Sequence, residues 1–116
     1  MSADAAPADA ALQSDIAAKV QASGTSFYAA MRLLPQARRD AMFAIYAFCR
    51  EVDDIADEPA EVADKLRRLQ GWRYEIARLY EGNPQHPIAR ALLPHVTAFD
   101  LRRADFLDVI DGMEMD

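Results

Sequence analysis

From Leu12 almost to the end of the chain, apolar residues recur at spacings of three and four. No stretch alternates with a period of two for long enough to argue a strand. The pattern predicts an all-α protein of five segments. The first covers Leu12 to Ala22 and ends at a Ser23-Gly24-Thr25-Ser26 break. A short helix spans Phe27 to Leu33, and a long one runs from Pro35 to Asp57. Pro35 suits a first helical turn, where its missing N–H costs nothing, and Pro59 disfavours α geometry in the residue before it. The fourth segment spans Ala60 to Tyr80 and stops at the turn residues Gly82-Asn83-Pro84. The last, Pro87 to Asp116, holds one or two helices with a break near Phe99 to Leu101. Residues 1–11, rich in Ala, Asp and Pro, read as a disordered tail. Residues 12–116 read as one all-α domain with no repeat and no linker.

Two of these helices carry distinct patterns. Val62, Leu66, Leu69, Trp72, Ile76 and Leu79 make a single apolar stripe on the fourth, with Lys65, Arg67, Arg68 and Arg78 mostly off it. The third opens with Ala41-Met42-Phe43-Ala44-Ile45-Tyr46-Ala47-Phe48-Cys49, apolar all round, a pattern that predicts burial on every side.

Polarity returns to the third helix on one side. At about 100° per residue, Tyr46, Arg50, Asp53 and Asp57 fall within about 60° of one another. Asp54 lies about 80° from Tyr46, and Glu51 lies further round. A polar face continuing from a buried segment is expected to point into the protein or a cavity. Glu51, Asp53, Asp54, Asp57 and Glu58 crowd the C-terminal end, where the helix dipole is already negative, with no base among them. A bound cation would relieve that conflict. Aspartates at i and i+4 suit Mg²⁺, which takes one or two carboxylates plus waters and substrate phosphates. Arg50 could grip a phosphate through its planar fork. Calcium is disfavoured, because no D-x-D-x-D-G loop is present. The plainer alternative is an acidic helix end, solvated or paired with Arg67, Arg68 or Arg73.

Composition narrows the picture further. A net charge of −6 argues against nucleic acid as the partner. One cysteine, Cys49, excludes an internal disulfide and fits a reducing, cytoplasmic setting. The start lacks the basic and apolar regions of a secretion signal. The nine-residue apolar run is far short of the roughly 20 that span a bilayer. A soluble protein is therefore expected.

Three stretches of the chain together resemble the squalene/phytoene synthase family. They are Ser23-Gly24-Thr25-Ser26-Phe27-Tyr28, Met31-Arg32-Leu33-Leu34-Pro35, and Ala44 through Asp57 with its Tyr46-Ala47-Phe48-Cys49-Arg50-Glu51-Val52-Asp53-Asp54 core. Phe106 to Asp116 is similar to a later family segment. The resemblance is nearer to the presqualene-forming, hopanoid-pathway branch than to the phytoene branch, and implies an all-α prenyltransferase with a central cavity. Such an enzyme joins two farnesyl diphosphates head to head through presqualene diphosphate. The resemblance places Asp53 and Asp57 in the first aspartate-rich motif, holding Mg²⁺ on the substrate diphosphate. It places Tyr46 and Arg50 at cavity and diphosphate positions, and Ser26 and Phe27 in a substrate-contacting segment. The family's second aspartate-rich motif is not matched. Asp108 and Asp111 are spaced by three and lie upstream of its place, so the chain reads as an N-terminal fragment, inactive alone, that lacks the C-terminal half of the fold.

Other residues read as structural. Cys49 is expected to be a buried small hydrophobe, Trp72 a core residue, and His86 and His95, nine apart, structural or surface groups. The cations from Lys65 to Arg78 read as a solvated face, or more weakly as a peripheral contact with anionic membrane lipid. The rival to an enzyme is a small helical module whose acidic helix meets a basic partner.

Overall fold

The computed structural model describes residues 6–22 and 26–115, with side chains for 10–19 and 29–115. Six helices follow one another: α1 (Ala6–Ala22), α2 (Ser26–Met31), α3 (Gln36–Asp57), α4 (Val62–Tyr80), α5 (Pro87–Ala98) and α6 (Arg103–Met115). No strand occurs among the described residues, as the periodicity predicts.

Helix α3 is the axis of the bundle: α1, α2, α4, α5 and α6 all pack against it. Its core side carries Phe43, Ala44, Phe48, Val52 and Ile55. Phe48 sits at the centre, edge-on to Trp72 of α4 at 5.4 Å and to Phe106 of α6 at 5.2 Å. Edge-to-face geometry sets the positive ring edge on a negative ring face, adding about 1 kcal/mol per pair to the area buried.

The helix ends follow the turn chemistry. Gly82, at φ 84°, closes α4: Gly82 N–H donates to Leu79 O at 3.1 Å and Asn83 N–H to Arg78 O at 2.9 Å. This is a Schellman motif, which needs a left-handed residue that glycine supplies without strain. Asp100, at φ 51°, does the same after α5, where Leu101 N–H donates to Val96 O at 3.0 Å. The break near Phe99 to Leu101 is thus a turn between two helices.

Three expectations need correction. Helix α1 begins at Ala6, so residues 6–11 are helical rather than tail. Alanine has the strongest helix propensity, and Pro7 is tolerated in a first turn. The Ala41 to Cys49 run is not buried all round, since Met42, Ile45, Tyr46 and Cys49 are half-buried. The α4 stripe is buried only from Leu69 onward, and Val62 and Leu66 are exposed.

Candidate functional site

The carboxylate face forms because α3 stays a single helix to Asp57, then leaves the α region at Glu58 (ψ 139°) before Pro59. An unbroken helix keeps Asp53 and Asp57 one turn apart on one side. Opposite that side lie Val52 and Ile55, fully buried. The apolar stripe therefore fixes the rotation of α3 and with it the direction of the acids.

That direction is outward. Tyr46 and Asp53 are half-buried, whereas Arg50 and Asp57 are exposed. The expectation that the face points into a cavity of this chain is therefore corrected: it lies at the surface of the described bundle. The physical reason is the amphipathic period itself, which puts residues in phase with Tyr46 opposite Phe48 and Val52.

Two small hollows flank the face. One, of about 200 Å³, is lined by Lys19 of α1, by Tyr46, Arg50, Glu51 and Asp54 of α3, and by Ile88 of α5. The other, of about 220 Å³, is more apolar and lies between Ile45, Phe48 and Cys49 and the Leu101 to Val109 stretch. Burial raises the pKa of the Cys49 thiol, which keeps it protonated and inert. A larger hollow, of about 710 Å³, opens at the other end of α3 beside Gln13, Asp40 and His95. It holds a single carboxylate, Asp40, which accepts from Gln36 Nε2 at 3.2 Å.

The five acids at the end of α3 divide by partner. Asp54 pairs with Arg50 Nε at 3.4 Å, and Glu58 pairs with Arg68 of α4. Glu51, Asp53 and Asp57 have no side-chain hydrogen bond or ion pair among the described residues. The acidic-helix-end alternative is met by Glu58, paired with Arg68, and by the exposed Asp57, open to solvent. No cluster of three or more His, Cys, Asp or Glu side chains that could hold a metal occurs among the described residues. Two carboxylates make a partial site that needs outside oxygens.

Other predicted positions separate from this face. Ser26 opens α2, but its side chain and that of Phe27 lie outside the described residues. Asp111 of α6 binds Arg73 of α4 at 2.8 Å, away from Asp53 and Asp57 in role. His86 caps α5, its Nδ1 accepting from Ile88 N–H at 3.1 Å, and its ring lies tilted against Trp72 at 4.6 Å. His95 is buried with Nε2 3.2 Å from Gln13 Oε1. Both histidines are structural, as expected. Lys19 and Glu51 join the hollow beside Tyr46 and Arg50, and nothing in sequence flagged Lys19, 27 residues upstream of Tyr46 on another helix.

The cations of α4 are engaged rather than free. Arg67 pairs with Asp64 and Arg68 with Glu58. Arg73 bridges Asp111 and Glu114, Arg78 binds Glu75, and Lys65 donates to Ala56 O at 2.9 Å. These cations form intramolecular pairs, and Arg67 and Arg68 remain exposed to solvent.

Fold and face together define an all-α protein organised around one carboxylate-bearing helix. The profile of the squalene/phytoene synthase family matches residues 20–116. Over 95 residues, 82% of this chain, it is 50% identical to the presqualene diphosphate synthase of Rhodopseudomonas palustris and 52% identical to that of Sinorhizobium fredii. It is 34% identical over 91 residues to the phytoene synthase of Arthrospira platensis. No solved structure matches the chain. The chain belongs to the squalene/phytoene synthase family, and spans about a third of the length (34%) of the presqualene diphosphate synthases it matches.

Proposed function

We propose that this chain forms the N-terminal part of a prenyltransferase that joins two farnesyl diphosphates head to head through presqualene diphosphate. The observation that carries the proposal is the pair Asp53 and Asp57, on one helix face and with no partner among the described residues, inside the matched stretch. The identity of 50–52% to presqualene diphosphate synthases, against 34% to a phytoene synthase, favours the presqualene branch.

The donor set fits Mg²⁺. Two carboxylates at i and i+4 supply hard oxygens, and the remaining positions go to water and diphosphate oxygens. When bound there, the ion acts as a Lewis acid that stabilises the charge gathering on the leaving diphosphate. Asp53 and Asp57 also set the sign of the local field, which attracts a cation before substrate arrives. Arg50 is held to Asp54 by a single exposed contact, worth well under about 1 kcal/mol, so its guanidinium can turn to a phosphate. The half-buried ring of Tyr46 presents a π face to cationic carbon.

The test is a chimera in which residues 20–116 replace the matching segment of the Rhodopseudomonas palustris enzyme. It is expected to convert farnesyl diphosphate to presqualene diphosphate, with the activity lost on Asp53→Asn or Asp57→Asn. A folded chimera whose aspartate variants keep wild-type rates at low Mg²⁺ would overturn the assignment. The rival interaction module requires no dependence of activity on Asp53, Asp57 or Mg²⁺, so the same chimera separates the two readings.

A further inference from the structure

We propose that the turn between α2 and α3 is a contact site for an anionic lipid surface, formed by Leu33 projecting from a collar of Arg32, Arg38 and Arg39. This goes beyond the catalytic reading and does not depend on it.

Leu33 is 88% exposed. Its position is fixed rather than loose. Leu33 N–H donates to Ala30 O at 3.2 Å and Leu34 N–H to Met31 O at 3.0 Å, which continues α2 as a tight turn. Arg39 braces the turn from α3, its Nη2 donating to Leu34 O at 3.4 Å. An apolar side chain is thus held out on a hydrogen-bonded turn.

The charge around it has one sign. Residues 32–39 contain three arginines and no acid, in a chain of net charge −6. Arg32 and Arg38 are exposed and have no ion pair among the described residues. The nearest acid in sequence, Asp40, is on the same helix and is tied to Gln36. The first turn of α3 has no acidic residue and no capping side chain, so Arg38 and Arg39 add positive charge to the positive end of a helix dipole. An opposing anionic surface reverses the sign of that interaction.

Other exposed apolar residues lack this setting. Val62 and Leu66 stand on α4 beside cations already paired within the chain. Phe99 has Arg102 and Arg103 nearby, but also Asp100 and Asp105. Among the described exposed apolar residues, Leu33 is the one whose near neighbours in sequence are arginines with no ion pair among the described residues and no acid. Such a pairing of one apolar side chain with a basic collar matches a headgroup layer over hydrocarbon, where Arg meets phosphate and Leu enters the acyl boundary. No helix among the described residues is long and apolar enough to cross a membrane, so the contact is peripheral.

The experiment is co-sedimentation with vesicles of phosphatidylcholine alone, or with 30% phosphatidylglycerol (about that fraction suffices for a strong surface potential). Binding is expected to the anionic vesicles only, and to fall as salt rises. Each of Arg32→Gln and Arg38→Gln should weaken it about fivefold, and Leu33→Ser about tenfold. The paired variant Arg67→Gln should leave it unchanged. All four sites are exposed, and equal helicity by circular dichroism confirms that each variant folds. Equal binding to both vesicle types points to general apolar adhesion and overturns the proposal. So does binding that ignores the Arg32, Leu33 and Arg38 changes, or an absence of binding, the result expected if another protein segment covers this turn.

Discussion

Two groups of carboxylates in this chain look alike in sequence and differ in what they touch. At the end of α3, Asp53 and Asp57 face outward with no partner among the described residues. On the α4–α6 side, Glu75, Asp111 and Glu114 each hold a cation, and Glu75 also holds backbone amides. Glu75 is buried, accepts from Gln85 N–H at 2.5 Å and His86 N–H at 2.8 Å, and so ties the turn after α4 to the start of α5. The lesson is that acids serving the fold are those with internal donors. Acids without internal donors stay hydrated at the surface and add little to the fold beyond like-charge repulsion at the helix end.

The sharpest way to break this comparison is to remove charge from each group in turn. In the chimera with the relative, Asp53→Asn or Asp57→Asn should cut turnover by about 100-fold to 1,000-fold, the range for losing one electrostatic contributor to a transition state. The same changes should leave the melting temperature of this chain unaltered or slightly raised. They relieve like-charge repulsion at i and i+4 and at a negative dipole end, each worth a few tenths of a kcal/mol. A loss of both activity and stability would erase the distinction between the groups.

Glu75→Gln should do the reverse. Both amides donate to Oε2, which a Gln carbonyl replaces with a neutral, weaker acceptor, and Oε1, which accepts from Arg78, becomes an amide NH2, so the cost is about 1–3 kcal/mol of stability. A pH titration of stability sharpens the point. Burial alone would raise the Glu75 pKa, but the His86 amide, Arg78 and the Gln85 amide outweigh it and hold the carboxyl below its ordinary value. With the folded pKa depressed, this contribution is complete above the unfolded carboxylate value near 4.3. It is lost as pH falls from there through the folded value, because the unfolded chain takes up the proton first. The variant should show a flatter stability curve over that acid range than the wild type.

Much of the fold was legible in the sequence, and the reasons differ by element. The boundaries of α3 and α4 follow from Pro35, Pro59 and Gly82, each of which acts through its own backbone geometry. Trp72 in the core follows from its stripe. Glu75 did not show, because its neighbours on the wheel are apolar and its partners lie ten and eleven residues away, across a turn. The anchor of α1 was hidden for a similar reason. Gln13 donates to Ala91 O at 3.0 Å and meets His95, contacts that span 78 and 82 positions. At the candidate site, spacing alone placed Tyr46, Arg50, Asp53 and Asp57 on one face. The outward direction was implicit in the same period, which sets Phe48 and Val52 opposite Tyr46, but the apolar Ala41 to Cys49 lead-in obscured it.

Arg73 offers a test of intermediate size. Its guanidinium spans from α4 to Asp111 at 2.8 Å and Glu114 at 3.2 Å on α6, and the hydrogen bonds to these two acids raise its pKa. Both acids are substantially exposed, so water and salt screen the pair. Arg73→Ala should therefore cost about 0.5–1 kcal/mol in thermal melts at low salt. The difference should shrink at high ionic strength, where the Debye length falls to a few ångströms. A cost of several kcal/mol that ignores salt would mean that the arginine stem, not its charge, packs the α4–α6 seam.

The smallest effect belongs to Asp54, which sits beside the candidate metal pair in sequence and beside Arg50 in space. The Arg50–Asp54 contact is 3.4 Å long, with both side chains more than half exposed (60% and 55%), at i and i+4 on one helix. Exposed pairs of this kind contribute about 0.3–0.5 kcal/mol. The orientation here, base before acid, is the weaker one. Removing the acid also removes one like charge from the negative end of α3, which offsets part of that loss. Asp54→Asn should thus leave stability within about 0.5 kcal/mol of wild type by denaturant titration. In the chimera it should leave turnover within a few-fold while lowering KM, because Arg50 is released toward the diphosphate. If Asp54→Asn instead abolished turnover as Asp53→Asn does, the metal-binding pair would have been assigned to the wrong face of the helix.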